Sequence, residues 1–274
     1  MMVQTATPPR HQRSHGLASV VLVHLDGATR LARLRQQGSA RAILPRAHAD
    51  RPEVVFLNTS GGLTGGDRLH YGLDLGPHAQ AVATTQTAER AYAAGDGQAR
   101  ITTDFSVGEG GHLDWLPQET ILFEGASMTR TTTVDLAAGA TCLMLESVIL
   151  GRAAMGETVT HGTYADRRIV RRQGRLVHVE PVTLSADCLG DRAAILGSAR
   201  AFASLILIGD AAGDLLSPVR AALTTRGVAG GASALPGKLC VRLMTPDPFA
   251  LRVQIVQVLR VLRGGAPLPR VWQI

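Results

Sequence analysis

The sequence is short of nearly everything that staples or exports a protein. Its three cysteines in 274 residues, Cys142, Cys188 and Cys240, stand far apart with no C-x-x-C pair, which excludes a disulfide framework and a structural zinc cluster. The first sixteen residues, MMVQTATPPRHQRSHG, are polar and lack the apolar stretch of a signal peptide, and the longest apolar run, 201-AFASLILIG-209, is too short to cross a bilayer. These absences predict a protein of the reducing cytoplasm with no membrane partner. Lysine is almost missing too: of 28 basic residues only Lys238 is not arginine, and the formal charge is +6. Arginine clusters only in 167-RRIVRRQGR-175, which reads as a hairpin turning at Gln173-Gly174. With aromatics at 4% and none interleaved there, that cluster is expected to be a solvated strand face rather than a nucleic-acid surface.

Catalytic signatures are equally scarce. The chain has no G-x-S-x-G elbow and no H-E-x-x-H helix. The stretch 58-NTSGGLTGGDRLHYGLDLG-76 is glycine-rich, yet no Lys-Ser/Thr follows its last glycine and no helix opens there, so it is not a phosphate cradle. Leu69, Tyr71, Leu73 and Leu75 alternate at period two, which predicts a strand with one buried face. Gly61, Gly62, Gly65 and Gly66 are then left with a structural task, a tight turn that delivers Asp67. His11 and His15 have metal-like i, i+4 spacing but lie in a segment without helical pattern.

What is present is mostly β. Residues 17–38 read as two strands joined by Asp26-Gly27, a dipeptide that tolerates positive φ. The stretches 71–86, 103–118 and 132–147 align without gaps at offsets of 32 and 29 residues. A period near thirty is expected where β units stack and bury their faces on one another. Helices are expected only late, at Val219–Thr225 behind Ser217-Pro218 and within 246–265, where Leu251, Ile255, Val258, Leu259 and Leu262 share a face. The predicted fold is mainly β, β-helix-like stacked sheets with two or so α-helices in the C-terminal third, as one domain over 17–274 behind a disordered tail, 1–16.

A few acids stand out. Strand parity places Glu146 on the face of Cys142 and Met144, and Glu180 on that of Leu176 and His178. A buried charge is costly unless paired, and an arginine such as Arg152 would serve Glu146. The functional alternative is a carboxylate on an internal passage, where carboxylate and imidazole would hold a divalent ion such as Ni²⁺ loosely. Asp67, Glu157 and His161 pose the same question.

Taken together, the blocks 58-NTSGGLTGGD-67, 84-TTQTAERAY-92, 113-LDWLPQETILFEGA-126, 149-ILGRAAMGETVTHG-162 and 267-PLPRVWQI-274 resemble the urease accessory protein UreD (UreH) family in order and spacing over most of the chain. Ser60 and Glu89-Arg90 depart from the family pattern. The resemblance implies a β-helix-like fold and a non-catalytic protein that works with UreF, the GTPase UreG and apo-urease to deliver nickel in transit, binding no nucleotide itself. It implies a nickel path among Asp67, Glu146, Glu180, Glu157 and His161. The apolar run with Leu205, Ile206 and Ile208, and the helix face with Ile255 and Leu259, are candidate partner contacts. Competing readings are a metal-dependent hydrolase around Asp67, Glu157 and His161, and a basic nucleic-acid-binding β protein.

Overall fold

The computed structural model describes residues 12–45, 51–189 and 194–273. The strands run β1 His15–Leu25, β2 Ala28–Gly38, β3 Ala40–Ile43, β4 Glu53–Asn58, β5 Arg68–Leu75, β6 Gln80–Thr85, β7 Glu89–Ala91, β8 Ala99–Val107, β9 His112–Leu116, β10 Thr120–Leu122, β11 Ala126–Leu136, β12 Thr141–Leu150, β13 Gly162–Arg172, β14 Arg175–Leu184 and β15 Ala201–Ile208. Helix α1 (Leu216–Ala221), β16 (Ala229–Leu235), β17 (Lys238–Thr245) and helix α2 (Pro248–Leu262) complete the chain. His11 lies outside the described residues. His15 already begins β1, inside the stretch expected to be tail.

Two sheets face each other. One has the order β14-β13-β11-β8-β5-β1-β2; the other runs β16-β17-β15-β12-β9-β6-β4-β3, with β7 and β10 attached beside β12. The central strands of both are parallel, so the chain winds from sheet to sheet once per turn in a β-solenoid-like stack. The period read from sequence is the register itself. Tyr71 lies opposite Thr103 and Thr103 opposite Thr132, while Gln80, His112 and Thr141 line up on the other sheet. Alternation sends every second side chain inward. Ala99, Ile101, Thr103, Phe105 and Val107 of β8 are buried while their neighbours are partly or fully exposed.

Each turn of the stack has its own local cause. Asp26 and Gly27 carry φ of 52° and 75°, the left-handed pair that matches the twist of the β1–β2 hairpin. Gln173 and Gly174 close β13–β14 in the same conformation, as expected. The arginines of that hairpin are not all solvated, however. Arg168 is 1% exposed because its position on β13 has inward parity.

Helix α2 packs on the outer face of the second sheet, burying Leu251, Ile255, Val258, Leu259 and Leu262 as the spacing predicts. Its cap is Asp247, whose carboxylate accepts from the Phe249 N–H at 2.9 Å. Helix α1 starts earlier than expected, at Leu216, directly out of a 3₁₀ turn over Asp210–Leu215. Ser217 is therefore not its cap. Pro218 falls in the first turn, where its missing N–H costs nothing, and Val219 is fully buried.

Candidate functional site

The inward parity of β11, β13 and β14 places Arg130, Asp166, Arg168 and Glu180 in the space between the sheets, and β12 contributes Glu146 from the opposite side. Arg130 is the hub. Its Nε and Nη2 donate to Asp166 at 3.1 and 3.2 Å, Nη2 also donates to the Tyr164 hydroxyl at 2.6 Å, and Nη1 donates to Thr120 Oγ1 at 3.0 Å. Glu146 Oε2 lies 2.8 Å from the same Nη2. Both protons of that nitrogen are directed to Tyr164 and Asp166, so Oε2 accepts no hydrogen bond. Glu146 Oε1 accepts from the Trp115 indole at 3.1 Å. Burial raises the Glu146 carboxyl above its ordinary range, and Arg130 only partly opposes it.

Glu180 is held differently. It accepts from Ser204 Oγ at 2.9 Å and from Arg242 Nη2 at 2.9 Å, and pairs with Arg168 Nη2 at 3.1 Å; the His178 ring stands 3.6 Å away. Burial raises this carboxyl too, but His178, Arg168, Arg242 and Ser204 together outweigh it and hold it at about 2. Glu146, Asp166, Arg168, Glu180, Ser204 and Arg242 line the polar side of a cavity of about 370 Å³, walled otherwise by aliphatic side chains and Phe202. Arg168 Nε, like Glu146 Oε2, is buried there without a hydrogen-bond partner.

The remaining predicted residues lie elsewhere. Asp67 closes the glycine loop: its carboxylate accepts from the backbone N–H of Ser14 at 2.7 Å and of Thr64 at 2.8 Å. The glycines have the structural task expected of them. A side chain at Gly62, where φ is 149°, would strike the Tyr92 ring, and one at Gly65 would strike the Asp96 carbonyl. Glu157 pairs with Arg152 at 2.8 Å. The expected Glu146–Arg152 pair is therefore replaced by two others, Glu146 with Arg130 and Glu157 with Arg152. His161 is exposed, and its Nδ1 lies 2.8 Å from Glu124, which hydrogen bonds from Thr160 and His161 hold at about 2. Among the described residues no group of three or more His, Cys, Asp or Glu is arranged to hold a metal ion.

Leu176 leaves the face of His178 and Glu180, because the β13–β14 register slips by one residue at Val177 and turns it outward, 60% exposed. The expected partner contacts Leu205, Ile206, Ile208, Ile255 and Leu259 are 0–3% exposed. Ile206 and Ile208 fill the space between the sheets, whereas Leu205, Ile255 and Leu259 seal β15 against α2, so none of the five forms an outer surface.

Sequence reading missed Arg130, Asp166 and Arg168. The signal was available: Met128, Arg130, Thr132, Val134 and Leu136 alternate as one set, as do Tyr164, Asp166, Arg168 and Val170, so the charged members had to share the apolar face. It also passed over Glu89. That carboxyl is half-buried beside Asn58 and is raised to about 7, by burial against the opposing hydrogen bonds of Asn58 and Arg90.

A family model described as UreD urease accessory protein matches residues 14–273. The chain is 55% identical over 275 residues to the urease accessory protein UreD of Paracoccus denitrificans, covering all of this chain and 97% of that one. It is 56% identical over 271 residues to the UreD of Cereibacter sphaeroides (97% and 98% covered) and 44% identical over 275 residues to that of Rhizobium etli (all of both chains).

Proposed function

The chain belongs to the urease accessory protein UreD family, and on that footing we propose that it is a non-catalytic nickel-delivery component, working in the cytoplasm with UreF, the GTPase UreG and apo-urease. The observation that carries the reading is the pocket between the sheets that Glu146 and Glu180 line. It lies between the two sheets and opens to solvent past Arg242 and Gly230–Gly231, it presents carboxylate oxygen to its interior, and one of those oxygens is left without a hydrogen-bond donor. Nickel is the cargo, and weak binding is what a carrier needs. A divalent ion at Glu180 must compete with Arg168 and Arg242, and one at Glu146 with Arg130. Guanidinium groups beside each carboxylate therefore lower its affinity for a cation and favour handing the ion on. Asp67, Glu157 and His161 contribute to the path only at its outer reaches, since none of them lines this cavity.

The test is to express the urease subunits and accessory proteins together with Glu146→Gln, Glu180→Gln or both, and to measure urease activity, nickel content and co-purification of UreF. Nickel loading is expected to fall at least about tenfold in the double variant while UreF is retained, the scale of a lost metal-handling group. Full loading in the double variant would refute the reading. No helix among the described residues is long and apolar enough to cross a membrane.

A further inference from the structure

Exposed apolar and basic side chains occur together along one stretch of the chain. Leu25, Leu31, Leu34 and Ile43 are 55, 46, 38 and 50% exposed. The stretch 25–43 that holds them also carries Arg30, Arg33, Arg35 and Arg41 against a single acid, Asp26. At its centre is β2, the edge strand of the seven-stranded sheet, eleven residues long and exposed at every position but Thr29. Among the described residues nothing pairs with its outer side. Its register, which shifts at the unpaired Ala32, sorts the side chains by face: Arg30, Arg33 and Arg35 lie opposite Val23, Val21 and Ser19 on the outward face, whereas Leu31 and Leu34 lie opposite Leu22 and Val20 on the inward one.

The outward face continues into a groove of about 540 Å³ lined by His15, Gln37, Arg68, His70 and Arg100. Arg68 and Arg100 are direct neighbours in register on β5 and β8, and among the described residues the one acid within ion-pair distance of a groove side chain, Asp104, lies 3.7 Å from His70 rather than on either arginine. Like charges side by side on adjacent strands cost stability. An anionic partner removes that cost.

An open edge of this length can accept a further strand. A second copy of the chain is a poor occupant, since pairing β2 with itself brings Arg30, Arg33 and Arg35 against their own kind. Nucleic acid fits less well, because residues 15–43 contain no Phe, Tyr or Trp on which a base could stack. We propose that β2 is a docking edge for an extended acidic segment of another protein, with Asp or Glu side chains over Arg30, Arg33, Arg35 and the Arg68–Arg100 groove, and alternating apolar side chains against Leu31 and Leu34. This assignment stands apart from the pocket of Glu146 and Glu180 and does not depend on nickel.

The test uses the full chain and a fluorescent peptide of about eight residues alternating Glu with Val, the length of a typical strand. Three probes accompany it: the same peptide with Lys for Glu, a shuffled peptide with its glutamates in one block, and a single-stranded RNA of similar length. The alternating acidic peptide is expected to bind in a salt-weakened manner and to slow hydrogen exchange at β2 amides. Arg33→Glu with Arg35→Glu is expected to weaken it at least about tenfold, and Arg167→Glu on the opposite half of the same sheet to leave it unchanged. These side chains are exposed, and an unaltered melting temperature confirms that the variants fold. Equal binding of the shuffled or Lys peptide, protection away from β2, tighter binding of RNA, or self-association through this edge would each overturn the proposal.

Discussion

The space between the two sheets is built in two ways along the same ranks of side chains. Toward β5 and β8 it is filled by Leu69, Ile101, Leu73 and Phe105, with Phe56, Tyr71 and Trp115 packed on them. Phe56 lies 5.0 Å from Tyr71 and Phe105 lies 5.0 Å from Trp115, centroid to centroid. Two strands further on, the rank of Leu69 and Ile101 continues as Arg130 and Asp166, and the rank of Tyr71 as Thr103, Thr132, Arg168 and Glu180. Trp115 stands at the join, donating to Glu146. Aromatic side chains fill volume completely, whereas ion pairs must keep fixed distances and leave a cavity beside them. The apolar half therefore supplies stability and the charged half supplies an interior with unused polar atoms, at a desolvation cost that hydrophobic side chains in the same places would not incur.

The charged hub is the most sensitive point of the interior. Arg130→Met leaves Glu146 without its ion-pair partner and Asp166 with only Arg168 Nε at 3.6 Å, and is expected to cost about 3–5 kcal/mol, read as a lower denaturant midpoint at pH 7. Phe105→Ala at the aromatic end should cost about 3–4 kcal/mol through the cavity it leaves, and it should leave nickel handling unchanged if the two halves are functionally separate. The third test is pH. Glu180 has a folded-state value of about 2 against an ordinary 4.5, so its contribution, on the order of 3 kcal/mol, is complete above pH 4.5 and lost as pH falls toward 2. Urea melts of the parent and Glu180→Gln should therefore differ at pH 6 and converge at low pH.

Glu89 runs in the opposite sense. Its folded value of about 7 lies above 4.5, so the fold loses stability as pH rises between them. Glu89→Gln should stabilise by about 1–2 kcal/mol at pH 8 and by little at pH 4.5, the figure being reduced because the group is half-buried. The smallest effect on stability is expected at Glu146. Glu146→Gln keeps an acceptor for Trp115 and removes a charge that burial disfavours, so stability should change by less than about 1 kcal/mol while nickel delivery falls. A large loss of stability there would assign Glu146 to architecture.

Much of the stack was legible because the repeats carry their own register. Once 71–86, 103–118 and 132–147 are laid over one another, the facing pairs in both sheets follow. Helix α2 was legible from its apolar face and its terminal glycines. The charged interior was harder to read, because parity could put Arg130, Asp166 and Arg168 inward but not say which acid each would meet. Glu146 finds Arg130, sixteen residues before it, rather than Arg152, six residues after. The β13–β14 slip that ejects Leu176 and the burial of Leu205 under α2 were also invisible to periodicity.

From the sequence itself follow where the chain turns, that the turns repeat and, within a strand free of bulges, which side chains share a face, since each of these rests on backbone sterics and a period of two. Only the tertiary structure decided which inward charges become partners, which carboxylate oxygen is left without a donor, and which strand remains an open edge. Those outcomes depend on distances between segments far apart in the chain, and a charge buried in a low-dielectric interior is governed by its nearest counter-charge in space rather than in sequence.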